Sequence, residues 1–147
     1  MCYNRIMREG KVLSRNTPQR NLVLKLMENN FSHPTADEIY EKARKADPHI
    51  SRGTVYRNLN LLAEAGFIAK IMVPSGADHF DSTLSLHYHF HCDKCDKLYD
   101  VPSDCCPKLD AAIQKMKNQG FSVESHSLIF NGICPECAEN EGQFQKK

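Results

Sequence analysis

The chain has 147 residues, with 19 Lys or Arg, 18 Asp or Glu, seven cysteines and a formal net charge of +1. That length holds one ordinary core or two small ones, and two small domains would each be marginal without a staple. No apolar run is long enough to span a bilayer and the first thirty residues show no signal-peptide pattern, so membrane and secreted classes are set aside in favour of a cytoplasmic protein. In that compartment clustered cysteines bind metal or do redox chemistry more often than they form structural disulfides. The near-neutral total conceals two unlike halves, +5 over residues 1–70 and −4 over residues 71–147. A basic half suits a polyanion such as nucleic acid, although it also describes an ordinary solvated surface.

Thr17 followed by Pro18 supplies an N-cap and a proline at the first helical position, and Leu22, Val23, Leu26 and Met27 form one apolar stripe. After the His33-Pro34 break, Thr35-Ala36-Asp37-Glu38 has capping-box spacing and opens a second helix bearing Ile39, Tyr40 and Ala43, which stops before Pro48. Ser51 caps a third helix with Val55, Leu59, Leu62 and Ala63 facing inward, ended by Gly66. Its other face leaves Arg52, Thr54, Tyr56, Arg57 and Asn58 for solvent or a ligand. Residues 67–73 and 77–81 read as two strands joined through Pro74-Ser75-Gly76. Three helices and a hairpin suggest a winged helix.

From Leu84 the texture changes, with strand-like segments at 86–91, 97–101 and 121–130 around a helix near 107–118 that Gly120 ends, and a polar tail after Cys137 with the composition of a disordered end. The expected fold is therefore α+β: a winged helix over residues 1–83, a form suited to binding DNA, and a second domain over residues 84–147.

Cys92-Asp93-Lys94-Cys95 and Cys134-Pro135-Glu136-Cys137 are two CxxC pairs separated by 38 residues. Each can hold one ion through two thiolates on a tight turn, and together they offer the tetrahedral four-sulfur set that suits structural zinc. The competing readings are a redox pair or a pair of disulfides, but no thioredoxin-like βαβ pattern accompanies the motifs. Four protein ligands leave no open position for substrate, so this is a staple rather than an active site. Cys2, Cys105 and Cys106 fall outside the pattern.

His87 and His89 are two apart on an expected strand, so both imidazoles share a face, and His91 has the same phase. Asp81 and Asp100 lie close in sequence, and their hard oxygens with imidazole nitrogens suit Fe(II), Mn(II) or Zn(II).

Over nearly its whole length the chain resembles the ferric uptake regulator (Fur) superfamily. The resemblance runs from Thr17-Pro18-Gln19-Arg20 through Ser51-Arg52-Gly53-Thr54-Val55-Tyr56-Arg57 to the paired CxxC motifs. His33-Pro34-Thr35-Ala36-Asp37, Phe80-Asp81, His87-Tyr88-His89 and Asp100 make it most similar to the peroxide-sensing repressors of the PerR subgroup; iron-sensing members usually carry glutamate at the position of Asp100. The resemblance makes residues 84–147 a metal-binding dimerisation domain and implies a regulatory metal held by His33, Asp81, His87, His89 and Asp100, with Fe(II) or Mn(II) as the ion. It also implies a homodimer on a near-palindromic, A·T-rich operator, with Arg52, Thr54, Tyr56 and Arg57 read as base or phosphate contacts in the major groove and Arg15 in the minor groove.

Some positions depart from the pattern. Arg57 stands where peroxide sensors carry asparagine and iron sensors arginine. His91 replaces a usually apolar residue and reads as a surface or supporting histidine. Leu86 and Tyr88 occupy positions that often supply a further metal site, which is therefore expected to be missing, with His126 left to packing.

If the subgroup resemblance holds, Fe(II) and hydrogen peroxide together oxidise His33 or His87, the metal is lost and repression ends, while Mn(II) represses without that sensitivity. The alternative is an iron- or zinc-responsive uptake regulator switched by metal dissociation alone. A small metalloenzyme and a purely structural zinc-ribbon protein are weaker readings, since no nucleophile or cofactor motif supports the first and the winged-helix pattern is left over by the second.

Overall fold

The computed structural model describes residues 7–8, 11–12 and 15–144, with side chains from 15 to 140; Cys2 lies outside them. Two short strands, β1 (Met7–Arg8) and β2 (Lys11–Val12), pair antiparallel. The chain then divides between Leu84 and Ser85 into two compact units.

The first unit is built on three helices. Helix α1 (Pro18–Met27) starts where Thr17 accepts a hydrogen bond from the Arg20 amide. Helix α2 (Ala36–Ala46) starts in a complete capping box, the Thr35 side chain accepting from the Glu38 amide and the Glu38 carboxylate from the Thr35 amide. Helix α3 (Arg52–Glu64) starts where Ser51 accepts from the Thr54 amide. Val23, Met27, Ile39, Val55, Leu59 and Leu62 are fully buried and form the shared core, which is the stabilising term for helices too short to persist alone.

The hairpin is shorter than its sequence suggests: β3 (Ala69–Ile71) pairs antiparallel with β4 (His79–Asp81). Phe67 is missing from β3 because its amide bonds the Leu62 carbonyl and Gly66 (φ 74°) bonds the Ala63 carbonyl, closing α3 in a Schellman motif. Phe67 and Ile68 accordingly enter the helical core.

The second unit carries a three-stranded sheet in the order β6-β5-β7. β5 (Tyr88–Cys92) pairs antiparallel with β6 (Leu98–Val101) and parallel with β7 (Ile129–Gly132). A single 3-10 turn over Ser103–Cys105 leads into α4 (Pro107–Asn118). The strand expected over residues 121–130 survives only at its far end. Gly120 (φ 93°) and Phe121 close α4 by the same double-bonded cap, and residues 122–128 lie outside any strand, although the Leu128 carbonyl already accepts from the His89 amide. The polar tail is also not disordered where described: Pro135 opens α5 (Pro135–Phe144), and the Ala138 amide bonds the Cys134 carbonyl.

Candidate metal centres and nucleic-acid face

The parallel pairing of β5 with β7 assembles the cysteine cluster. Register places Cys92 opposite Gly132, two residues before Cys134, and the Asp93 amide bonds the Gly132 carbonyl at 2.8 Å. A side chain at Gly132 would press against the Phe90 ring, 3.3 Å from a built Cβ. The first CxxC turn closes through the Asp96 amide on the Cys92 carbonyl, with Asp96 left-handed at φ 59°.

All four sulfurs lie within 4.8 Å of one another. Sulfurs at ~2.3 Å from a tetrahedral zinc stand ~3.8 Å apart, and the Cys95 and Cys134 sulfurs are 3.8 Å apart. The donor set therefore fits zinc in both chemistry and span.

The four thiols are electrostatically unequal. The Cys134 amide, 3.3 Å from the Cys92 sulfur, is the largest of the influences that lower the Cys92 pKa to about 6. The Tyr99 hydroxyl does the most to lower Cys134. At Cys95 the Lys97 amide favours the thiolate, but burial and neighbouring sulfurs outweigh it and the pKa is raised. Burial and the adjoining cysteines push Cys137 up to about 12. Tyr99 gave no sequence signal, since β6 had to be paired with β5 before its hydroxyl had a target.

The expected regulatory ligands fall into two groups, one in each unit. In the first, His33 Nε2 stands 3.6 Å from Asp81 Oδ2, with both side chains almost wholly buried. Asp81 Oδ1 accepts from the Thr83 amide at 2.8 Å. His33 is left-handed at φ 49°, a conformation disfavoured for a non-glycine residue and further so before proline. Its carbonyl lies 2.7 Å from His79 Nδ1, and the flanking backbone is tied to β4 by the Phe80 amide on the Pro34 carbonyl and by a Thr35–His79 bridge. His79 thus supports the His33 turn, a contact that the sequence reading missed. The signal was there, since His79 and Asp81 alternate on one face of the same strand.

In the second unit, His87 and His89 do share a face, their ring centroids 4.5 Å apart. Asp100, opposite His89 in the β5–β6 register, approaches their Nε2 atoms at 3.3 and 3.8 Å. His87 Nδ1 lies 2.7 Å from the Ser85 carbonyl. A carbonyl only accepts, so in the neutral ring the proton sits on Nδ1 and the Nε2 lone pair is presented on the Asp100 side. A lone pair and a carboxylate facing one another invite a cation.

His91 is not a surface residue. It is fully buried, its Nε2 2.7 Å from Asp96 Oδ1 and its Nδ1 3.5 Å from Asp93 Oδ1, so it braces the first CxxC turn. His126 meets the Tyr88 hydroxyl at 3.1 Å, and Leu86 is exposed.

On α3, Tyr56 and Arg57 are exposed and Thr54 is half-buried, its hydroxyl 2.9 Å from that of Ser51. Arg52 is exposed but engaged, paired with Asp37 and Glu41 and stacked 4.7 Å over the Tyr40 ring. Asn58, expected on the open face, is buried; its amide donates to the Thr54 carbonyl at 2.9 Å and its oxygen accepts from Arg20 Nε at 3.1 Å. That pairing satisfies the polar group that burial would otherwise penalise. Arg15 is exposed, its carbonyl accepting from the Arg20 guanidinium.

Comparison with known proteins gives a consistent result. The family model described as the ferric uptake regulator family matches residues 11–131. The peroxide operon regulator of Bacillus subtilis (strain 168) is 37% identical over 126 residues, 85% of each chain. Among solved structures, the Campylobacter jejuni peroxide stress regulator superposes with a TM-score of 0.68 at 32% identity, covering 82% of this chain and 89% of its own. A zinc uptake regulator in complex with zinc and DNA superposes at 0.63 with 27% identity, covering 87% and 86%.

Proposed function

The chain belongs to the ferric uptake regulator family, and from that premise we propose that it is a metal-dependent, DNA-binding transcriptional repressor that responds to peroxide. The observation that carries the reading is the pairing of His87 and His89 with Asp100 beside a complete four-cysteine cluster, in a chain 37% identical to a peroxide operon regulator.

The cysteine cluster is the site for structural zinc. The regulatory ion, Fe(II) or Mn(II), is assigned to His33, Asp81, His87, His89 and Asp100, the set that the family resemblance implies. The mixed nitrogen and oxygen donors suit these borderline and hard ions, and each group is already held by its neighbours, His33 by His79 and His87 by the Ser85 carbonyl. Metal occupancy of this set governs the DNA-binding state. Moving such an equilibrium from 1:99 to 99:1 takes ~5.5 kcal/mol of preference for one state. By linkage, operator DNA tightens the metal in return.

Helix α3 is the major-groove element, with Arg57 and Tyr56 as its exposed reading residues, Thr54 beside them and Arg52 available once released from Asp37 and Glu41. Arg15 is assigned to the minor groove, and the protein acts as a homodimer on a near-palindromic, A·T-rich operator. Bound Fe(II) supplies the one-electron chemistry that makes hydrogen peroxide an oxidant of its surroundings. With iron bound there, the His33 or His87 ring would gain one oxygen atom from hydrogen peroxide, the other leaving as water, and an oxidised ring would be a poorer ligand, so the repressor would leave DNA.

The reading is tested by titrating operator DNA with Mn(II)-loaded protein, chelator-treated protein and a Mn(II)-loaded His87→Ala variant. Tight binding by the first alone is expected. Equal binding by all three would remove the regulatory metal from the account.

A further inference from the structure

Two cysteines among the described residues, Cys105 and Cys106, lie outside the four-sulfur cluster. Cys105 ends the 3-10 turn and Cys106 is the N-cap of α4, with Pro102 and Pro107 bracketing the pair. Neither thiol is committed to the helix end, since the cap carries no side-chain hydrogen bond. Cys105 is exposed, Cys106 is half-buried, and their sulfurs are 3.3 Å apart.

Adjacent residues are poorly placed for a disulfide. Consecutive Cα atoms stand ~3.8 Å apart, short of the ~4.4–6.8 Å that disulfides span. A bridge of one atom between the sulfurs escapes that constraint. With bonds of roughly 2.3 Å, the metal–thiolate length, a linear ion needs sulfurs ~4.6 Å apart and a bent centre at about a right angle needs ~3.3 Å. The observed separation is that of the bent centre.

We propose that Cys105 and Cys106 form a dithiol site for a soft, pyramidal, trivalent centre of the kind found in arsenite and organoarsenicals. Soft thiolate donors select soft ions over the hard and borderline ions of the regulatory set. Zinc is a poor occupant, because two sulfurs supply only half of the ligands it takes from protein.

The protonation state agrees with this chemistry. The Cys105 pKa is raised, chiefly by its contact with Cys106, which favours the thiol and slows attack on peroxide. An arsenical reacts with thiols by condensation: two As–S bonds form, both thiol protons leave with the arsenic-borne oxygen as water, and arsenic stays trivalent.

The probe is phenylarsine oxide, added in equal amount to the full-length, zinc-loaded protein and read by intact mass with zinc release followed in parallel. One adduct per chain is expected, equal in mass to the probe less one water, with zinc retained. Cys105→Ser and Cys106→Ser should each weaken capture at least tenfold, since either leaves a single thiol without its chelating neighbour. Undiminished zinc content in the variants shows that they fold. Absence of an adduct on the parent protein, or an equal adduct on a variant carrying both Cys105→Ser and Cys106→Ser, with or without zinc loss, would overturn the proposal.

Discussion

The residues that support the proposed ligands are harder to read than the proposed ligands themselves. Strand phase points to His87 and His89, nearness in sequence to Asp81 and Asp100, and resemblance to His33, but none of these points to His79, whose place depends on β4 lying beside the His33-Pro34 turn. His79→Leu is expected to weaken Mn(II) binding ~10–100-fold, the usual penalty for losing a partner that orients a ligand, while zinc content stays unchanged. Competition titration against a metal-sensing dye measures it, and an unaltered Mn(II) affinity would show that the left-handed turn is fixed without His79.

The cysteines carry a pH prediction. Thiolates are the ligands, so protons compete with zinc. In the metal-free protein Cys92, lowered to about 6, is ionised at neutral pH, whereas Cys137, raised to about 12, and Cys95, also raised, keep their protons. Zinc entry near pH 7 must therefore expel about two protons or more. Affinity should rise with pH by about two log units per pH unit there and fall further once Cys92 itself protonates below about 6. A slope under one, from chelator competition across pH 6.5–8, would contradict this assignment of charge.

At the level of elements, the three helix starts were legible because each rests on a local signal: Thr17 before Pro18, Thr35 with Glu38, and Ser51. Strand extents were not. Phe67 and Phe121 look like strand residues, yet each is the third residue past a helix and gives its amide to the closing cap. Local periodicity cannot separate those roles. Helix α5 was missed because its polar composition hid the proline start after Cys134.

Helix α3 also shows why side-chain placement matters for binding. Arg57→Ala is expected to reduce operator affinity by ~1–3 kcal/mol if the guanidinium reads a base, and to relax selectivity at one position. Arg52→Ala should cost less, because the wild-type residue must first leave Asp37, Glu41 and the Tyr40 ring. Operator titrations at two salt concentrations distinguish base reading from phosphate contact through the salt slope. A larger loss for Arg52 than for Arg57 would reverse the order proposed here.

On the scale of the whole molecule, the contrast between a basic first half and an acidic second half accompanies a contrast in what holds each unit together. The first has a continuous apolar core of helices. The second buries fewer large apolar side chains and centres on the cysteine cluster, where the proposed zinc would contribute folding free energy directly. The paired CxxC motifs announced that staple in sequence. The parallel β5–β7 pairing that brings them together did not appear there, because a register between distant strands leaves no local trace.

The central claim is that metal in the histidine and aspartate set governs DNA binding and that iron makes it peroxide-sensitive. Its most direct test loads the protein anaerobically with Fe(II) or Mn(II), adds stoichiometric hydrogen peroxide, and follows operator binding and peptide masses on the same samples. The account predicts an added oxygen on His33 or His87 and loss of DNA binding in the iron sample alone. Unmodified histidines with undiminished binding in both samples would contradict it and leave a regulator that answers only to metal.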